Sequence, residues 1–344
     1  MRGSTCRSVF ALALTALLTA ACTADPSSGG GAPYVLVLQT AEMPDGLSLV
    51  SPAVLGFGLS VREAGVTTRV VTGDADGALA RSMDDPALLA VVVAPFTTIG
   101  SVATESLAAA RIPVLSFSTL DPAPEGPDAP WRRFVPEADA MVGAMVSEAV
   151  ALDRPTCLLA APDPWAATIG AHLEHATHGV ALFRTAATPA GCVAAVWSGP
   201  ASGAASVRSE LLGPLLLTDQ ARTDGFLEAT SPRAGSTTFG FCGCADLTTS
   251  ADPEQQAFVH DFQEASGLDP GPFAAEGFDA GRVLLLSLGN GAAARESLVR
   301  ALAGIETFDG VAGFYSWDER GTLTAPPVRM YRAEGVRWLP EHLG

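Results

Sequence analysis

Side-chain hydroxyls cluster after two apolar segments in the first third of the chain. Thr97 and Thr98 follow the apolar run 88–94, and Ser118 and Thr119 follow a second such run. Apolar runs of this length predict buried strands, and the alanine-rich stretch between them predicts a helix. The carboxyl ends of parallel strands meet at one edge of a sheet, where helix N-termini favour an anionic group such as a carboxylate. The hydroxyls therefore indicate either a binding site for such a group or caps of the following helices.

Predicted strands and helices alternate in two sets, which is typical of doubly wound parallel sheets. The first set begins at Tyr34, the second runs from Cys157 to Phe241, and the Pro- and Gly-rich segment 121–130 between them is typical of a linker. Because further helices and two late strands follow, the chain must recross between the two units. We predict an α/β protein of two doubly wound lobes joined by a multi-crossing hinge. Lobe 1 is predicted to comprise residues 34–125 and 251–310, and lobe 2 residues 126–250 and 311–344.

The N-terminus has the layout of an export signal. A basic segment precedes an apolar core too short to span a bilayer, and small residues then lead to Cys22. This order resembles the lipobox of bacterial lipoproteins. We therefore expect a signal peptide at 1–22, lipid attachment at Cys22 and a flexible Ser/Gly-rich tether at 23–33, which would hold the protein on the outer side of a bacterial cytoplasmic membrane. Ordinary signal cleavage near the same small residues is the alternative.

The composition is acidic, with a formal net charge of -17 over 344 residues. Such a charge argues against nucleic-acid binding and against a polybasic membrane patch. No second apolar segment is long enough to be a transmembrane helix, so the lipid anchor is the only membrane contact that we expect. His172, His175 and His178 share about one face of a predicted helix, and this spacing favours a solvated polar face over a metal site.

Four cysteines lie beyond the signal region. Cys157 and Cys192 each stand at the start of a predicted strand, so they would lie side by side if those strands are neighbours. We predict a disulfide between them, since an exported protein meets an oxidising compartment. Cys242 and Cys244 are two residues apart, and for this pair a strained bridge and two free thiols both remain open.

Motifs of common catalytic sites are missing from the sequence. It contains no Gly-x-Ser-x-Gly, no His-Glu-x-x-His, no Walker loop and no Gly-x-Gly-x-x-Gly after a predicted strand. The sequence therefore favours a binding protein over an enzyme, with no cofactor and no metal.

Seven segments follow one another along the chain in a recognisable order: AVVVAPFTTIGSVA, PVLSFSTLDP, WRRFVPEADAMVGAMV, CLLAAPDPWAATIG, PLLLTDQARTDGFLE, FAAEGFDAGRVLL and FDGVAGFYSWDERGTLTAPPVRMYRAEGVRW. Their order and spacing resemble those of the type I periplasmic binding proteins, in particular the leucine/isoleucine/valine-binding proteins of ABC importers. The resemblance covers most of the chain from Val35 to Trp338. It implies that a monomer clamps a small amino-acid-like ligand, a branched-chain amino acid or a related solute, between two closing lobes and delivers it to an ABC permease and ATPase. A ligand-sensing receptor of the same fold is the alternative.

The resemblance also implies roles for individual residues. The residues that would bind an α-carboxylate are Thr97, Thr98, Ser118 and Thr119. Asp219 would meet an α-ammonium, with capping of the next helix as the alternative. Trp165 takes the place of the family's aromatic lid residue, often Tyr, and its position in a Pro-rich loop favours a half-exposed ring over a core ring. Leu120 stands where the family often has Thr, which together with the Trp suggests a reshaped pocket.

Overall fold

The protein is described here by a computed structural model that covers residues 32–40, 50–62, 64–121, 131–230, 237–248, 250–289 and 295–341. The predicted signal peptide with Cys22, residues 23–31 of the predicted tether and residues 122–130 of the predicted linker lie outside the described residues. None of the helices in these ranges has both the length and the apolar composition needed to cross a membrane.

The first lobe is built on a parallel sheet with five strands in the described residues, in the order β2-β1-β3-β4-β5. These strands are β1 (Tyr34–Gln39), β2 (Thr67–Thr72), β3 (Leu88–Val93), β4 (Val114–Ser116) and β5 (Trp131–Arg133). The helices between them are α1 (Pro52–Arg62), α2 (Ala75–Ser82) and α3 (Ser101–Ala109). β1 and β3 are buried along their whole length, as their continuous apolar sequences require, whereas β2 lies at the edge and is partly exposed.

The second lobe is built on a mixed sheet whose described strands follow the order β14-β13-β10-β9-β8-β6-β7. Its parallel strands are β6 (Thr156–Ala160), β7 (Phe183–Thr185), β8 (Ala194–Ser198), β9 (Leu215–Leu217) and β10 (Thr238–Cys242). Two antiparallel strands, β13 (Arg329–Glu334) and β14 (Arg337–Glu341), complete it. Its helices are α4 (Ala138–Ala151), α5 (Pro164–Ala176), α6 (Ala201–Glu210), a 3₁₀ turn (Asp219–Ala221) and α7 (Asp224–Ala229).

Three further helices return to the first lobe after β10. They are α8 (Pro253–Ser266), α9 (Ala274–Gly289) and α10 (Arg295–Ala303). α9 packs against α1 with the two backbones in contact, because a Cβ added at Gly277 would lie only 2.0 Å from the carbonyl oxygen of Ala53. A small hairpin, β11 (Thr307–Asp309) with β12 (Phe314–Ser316), then leads back to the second lobe.

The chain passes between the lobes three times within the described residues, after β5, after β10 and after β12. The prediction of a multi-crossing hinge is therefore confirmed, but the first crossing lies later than the predicted boundary at 125/126. Trp131–Arg133 pairs in parallel with β4, and Trp131 is buried in the core of the first lobe. The predicted boundary at 310/311 falls inside the β11–β12 hairpin.

The two cysteine pairs are each joined in the structure. β6 and β8 are adjacent parallel strands, which brings the Cα atoms of Cys157 and Cys192 to 5.8 Å, and the sulfurs are bonded. Cys242 ends β10 and is bonded to Cys244, two residues on, where the second crossing begins.

Candidate ligand-binding site between the lobes

The hydroxyls predicted in the first lobe lie at the carboxyl ends of β3 and β4, but in different environments. Thr97 is buried and its Oγ1 accepts from the backbone N–H of Thr40 at 2.8 Å, whereas Thr98 is exposed. Ser118 is buried and its Oγ accepts from the N–H of Leu120 at 3.3 Å. Thr119 is also buried, and its Oγ1 has no partner among the described residues. A hydroxyl that accepts a hydrogen bond can still donate its hydrogen to a carboxylate, and the hydroxyl of Ser118 also interacts with the carboxylate of Asp121.

A buried carboxylate and a buried guanidinium support these turns, and sequence reasoning missed both. Asp121 Oδ1 accepts from the N–H of Ile99 at 3.2 Å, and its Oδ2 accepts from the hydroxyl of Ser116 at 2.9 Å. Burial raises the pKa of Asp121 to about 6, although the charge of Arg133 acts to lower it. Asp121 lies at the start of the segment predicted as a linker, and no sequence pattern singled it out.

The acid predicted in the second lobe is fully buried. Asp219 starts the 3₁₀ turn after β9, and its Oδ1 accepts from the N–H of Gln220 at 2.9 Å. Burial raises the pKa of the Asp219 carboxyl to about 7, and the charge of Arg222 offsets only part of this effect. The alternative role as cap of the next helix is filled by Thr223, whose hydroxyl accepts from the N–H of Phe226 at 3.3 Å. Asp219 is therefore a buried acceptor at a strand end.

Two neighbours of Asp219 add acceptor atoms at the same strand end. Thr218 Oγ1 and Gln220 Oε1 are both buried, and neither has a hydrogen-bond partner in the described part of the chain. Buried polar atoms in native proteins are nearly always paired, so unpaired ones at a strand end point to a ligand or water. Asp219, Thr218 and Gln220 thus place three buried oxygen atoms at this strand end of the second lobe.

Trp165 is buried rather than half exposed, which corrects the prediction for this residue. The Asp163 carboxylate caps α5 by accepting from the N–H of Ala166 at 2.9 Å, so Trp165 lies in the first helical turn rather than in the Pro-rich loop. The ring packs edge-to-face against Phe96 of the first lobe, with ring centroids 5.3 Å apart. Trp165 Nε1 has no partner among the residues described. The aromatic ring therefore closes one side of the interface between the lobes.

Phe96 and Phe273 extend this aromatic contact and were not found from the sequence. Phe96 packs edge-to-face on Phe273 at 6.0 Å, and both residues have left-handed backbone, with φ of 63° and 67°. Such strain in residues other than glycine is found most often at binding sites. Leu120 is half-buried and packs against the core of the second lobe. The interface between the lobes is therefore apolar beside the donors and acceptors.

Trp197 and His172 each have a polar partner close by in the structure. Trp197 Nε1 donates to the carbonyl of Pro200 at 3.2 Å, and Ser101 is the exposed first residue of α3. His172 Nδ1 lies 2.8 Å from Asp139 on the surface. Within the described ranges one group of possible metal ligands occurs, on an exposed face of α8, and nothing there is built to hold an ion.

A separate cavity of about 410 Å³ opens between the lobes, at Thr223 and Trp338 of the second lobe and Asp269 of the first. None of the predicted site residues lines it. Its buried cation, Arg222, is already paired with Asp246 at 3.2 Å. We therefore place the candidate site at the strand ends rather than in this cavity.

The chain was compared with protein families, curated protein sequences and solved structures. No protein-family model and no curated protein sequence matches the chain. Among solved structures, a leucine-bound ABC transporter substrate-binding protein from Desulfitobacterium hafniense is 18% identical with a TM-score of 0.65, and the match covers 90% of this chain and 100% of that one. The leucine-binding protein LivK from Thermotoga maritima is 15% identical with a TM-score of 0.68, over 90% of this chain and 98% of that one.

The chain has the type I periplasmic binding protein fold. A third similar structure of this fold is a solute-binding protein of an ABC transporter from R. palustris in complex with benzoate, 16% identical with a TM-score of 0.63 over 90% of this chain and 95% of that one. The similar structures are solute-binding proteins rather than enzymes. The predicted two-lobed α/β fold is confirmed.

Proposed function

We propose that the protein is an extracytoplasmic, lipid-anchored solute-binding protein of an ABC importer. It captures a small amino-acid-like ligand, such as a branched-chain amino acid, between its two lobes. The observation that carries this proposal is the division of buried polar atoms between the lobes. Thr119 supplies an unpaired hydroxyl on the first lobe, and Asp219 and the unpaired Oε1 of Gln220 supply oxygen acceptors on the second.

This division suits a zwitterion. An α-carboxylate needs donors, which are the hydroxyl hydrogens of the first lobe, namely those of Thr97, Thr98, Ser118 and Thr119. An α-ammonium needs acceptors, and Asp219 is the one that can carry a full negative charge. The apolar side chain of the ligand would rest against Trp165 and Phe96, whose rings already meet across the interface. No bond is made or broken, so the work of the site is capture followed by closure.

The ammonium also explains why a buried acid without a cation in direct contact is useful. With its pKa raised to about 7, the carboxyl of Asp219 is partly protonated at neutral pH. An ammonium group favours the ionised form, so amino-acid binding is expected to release a proton and to weaken as the pH falls below about 7.

Export, anchoring and transport complete the proposal. Cys22 would carry the lipid, the segment 23–33 would act as the tether, and the partners would be a permease and an ATPase, with the binding protein acting as a monomer. Mass spectrometry of the membrane-extracted protein tests the anchor, because a diacylated N-terminal Cys22 is expected and an unmodified mature N-terminus would contradict it.

The ligand class is tested by thermal unfolding monitored by intrinsic fluorescence, with L-leucine, L-isoleucine, L-valine and benzoate each added at millimolar concentration. A ligand with a micromolar Kd adds about 4 kcal/mol of stability under these conditions, which corresponds to a shift of several degrees. Isocaproate, which is leucine without its amino group, is the matched control. A shift with L-leucine but not with isocaproate supports the proposal, whereas equal shifts would remove the ammonium contact, and no shift with any amino acid would contradict the ligand class.

A further inference from the structure

Arg133 is the last residue of β5, and its guanidinium is fully buried beneath the carboxylate-binding turn. Nη1 donates to the carbonyl oxygen of Ser118, and Nη2 donates to the carbonyl oxygen of Asp121. A buried guanidinium is costly unless acceptors surround it, so these two bonds fix the turn after β4 to the end of β5. The planar fork of an arginine suits two carbonyls at once, in a way that a lysine ammonium does not.

The carboxylate of Asp121 joins this turn to the other hydroxyl-bearing turn. One oxygen accepts from the N–H of Ile99 in the turn after β3, and the other accepts from the hydroxyl of Ser116 at the end of β4. Asp121 and Arg133 are both buried, and each favours the charged form of the other. Both donor turns of the first lobe are thus held by one buried carboxylate and one buried guanidinium.

The backbone of Arg133 reaches the hinge. Its N–H donates to the carbonyl of Gly321 at 2.9 Å, and its carbonyl accepts from Trp317 Nε1 at 2.7 Å. Both partners belong to the third crossing, and the first crossing begins at the next residue, Phe134. Gly321 has a φ of 76°, and a Cβ there would lie 1.8 Å from the carbonyl oxygen of Trp131, so the third crossing is in close contact with β5.

We propose that Asp121 and Arg133 are positioning residues that couple the two donor turns of the first lobe to the first and third crossings of the hinge. The inference rests on the proposed function, because it assigns these residues a part in ligand capture. When an anionic group draws the donor turns together, the buried pair moves with them, and the crossings about which the lobes rotate are held to it by hydrogen bonds.

The test compares four variants of the full chain. Arg133→Met removes the fork, and Arg133→Lys restores the charge without the fork. Ser116→Ala removes the hydroxyl that donates to Asp121 and accepts from the N–H of Ser118. Ser287→Ala is the matched control, since Ser287 is also a fully buried serine of the first lobe but donates within α9, to the carbonyl of Val283 at 2.9 Å. Each is measured by hydrogen–deuterium exchange without ligand and by calorimetric titration with L-leucine.

The two measurements separate this inference from the proposed function. Without ligand, Arg133→Met and Ser116→Ala should exchange faster at the amide of Ile99 and in segment 317–321, with Arg133→Lys intermediate and Ser287→Ala unchanged. L-leucine should bind Arg133→Met about tenfold or more weakly than wild type. Faster exchange confined to 116–121, or unchanged affinity in variants that remain folded, would overturn the inference. Absence of L-leucine binding by wild type with the exchange coupling intact would instead contradict the proposed function.

Should Arg133→Met not fold, Ser116→Ala decides the matter alone. It deletes one hydroxyl from a buried position without removing a charge, so the fold should survive. Faster exchange at both the amide of Ile99 and segment 317–321, with Ser287→Ala unchanged, supports the coupling, and faster exchange confined to 116–121 overturns it.

Discussion

Replacing Asp219 by Asn gives the most quantitative test of the candidate site. The substitution keeps the size and shape of the side chain and removes its ability to ionise. In the folded protein this carboxyl is fully buried and has its pKa raised from 3.8 to about 7, with burial as the main cause. The folded protein therefore holds this proton more tightly than the unfolded chain does.

The difference in the pKa of Asp219 between the folded and unfolded states makes the stability of the wild-type protein depend on pH. As the pH rises from below 3.8 towards 7, the unfolded chain loses the proton first, so the free energy of unfolding that this group contributes falls. A shift of about three pKa units corresponds to about 4 kcal/mol, of which about 2.5 kcal/mol develops between pH 5 and pH 8. The Asp219→Asn variant lacks this loss, because its amide does not titrate. The stability of Asp219→Asn relative to wild type should thus rise by about 2.5 kcal/mol over that range.

Urea unfolding at about pH 5 and about pH 8 measures this quantity, because titration of all other groups cancels in the difference between the two proteins. Asp84→Asn, at an exposed acid of the first lobe, is the matched control for the loss of one carboxylate. A difference in stability between Asp219→Asn and wild type that stays constant with pH would contradict the raised pKa of the Asp219 carboxyl. The same variant should bind L-leucine at least thirtyfold more weakly, about 2 kcal/mol or more, because a buried charged contact is lost.

Three further predictions concern binding, covalent structure and packing. Thr119→Val should leave the stability of the ligand-free protein unchanged or slightly raised, since the hydroxyl has no partner in the described residues. The same variant should bind L-leucine about tenfold more weakly in a calorimetric titration, and unchanged binding would remove Thr119 from the site. Mass spectrometry of an unreduced digest should find Cys157 linked to Cys192, and detection of both as free thiols would contradict the pairing. Gly277→Ala should lower the free energy of unfolding by about 1–3 kcal/mol, because the added Cβ would meet the backbone of α1. Its control, Gly143→Ala, lies at an open helical position and should raise the free energy of unfolding by about 0.5–1 kcal/mol. Equal urea midpoints for the two variants would contradict the close packing of α1 and α9.

Long apolar strands and their polar ends were predictable because their pattern is local. The run ending at Ala94 has the length and the β-branched, apolar composition of a buried strand, and the polar groups that follow such a strand lie at the sheet edge. Cys157 and Cys192 could be paired from their positions at the starts of two predicted strands, once those strands were taken as neighbours. The fold could be inferred because many such local patterns recur in one order.

The supporting residues could not be predicted because their roles depend on contacts distant in sequence. Trp131–Arg133 is a three-residue strand with two basic residues, which gives no apolar period, and its burial depends on the third crossing lying over it. Asp121 resembles an ordinary turn residue until Ile99, 22 positions away, is placed against it. Phe96 and Phe273 adopt left-handed backbone, which side-chain patterns do not reveal. Trp165 was expected to be half exposed because the sequence does not show the opposite lobe.

Small-angle X-ray scattering of the wild-type protein, with and without L-leucine, shows whether a small amino acid is captured between two lobes that close about the hinge. We expect a saturable decrease in the radius of gyration with L-leucine and none with isocaproate, because only the zwitterion engages the donors of the first lobe and Asp219 of the second. A radius of gyration that stays the same at saturating L-leucine, or one that falls equally with isocaproate, would contradict the account.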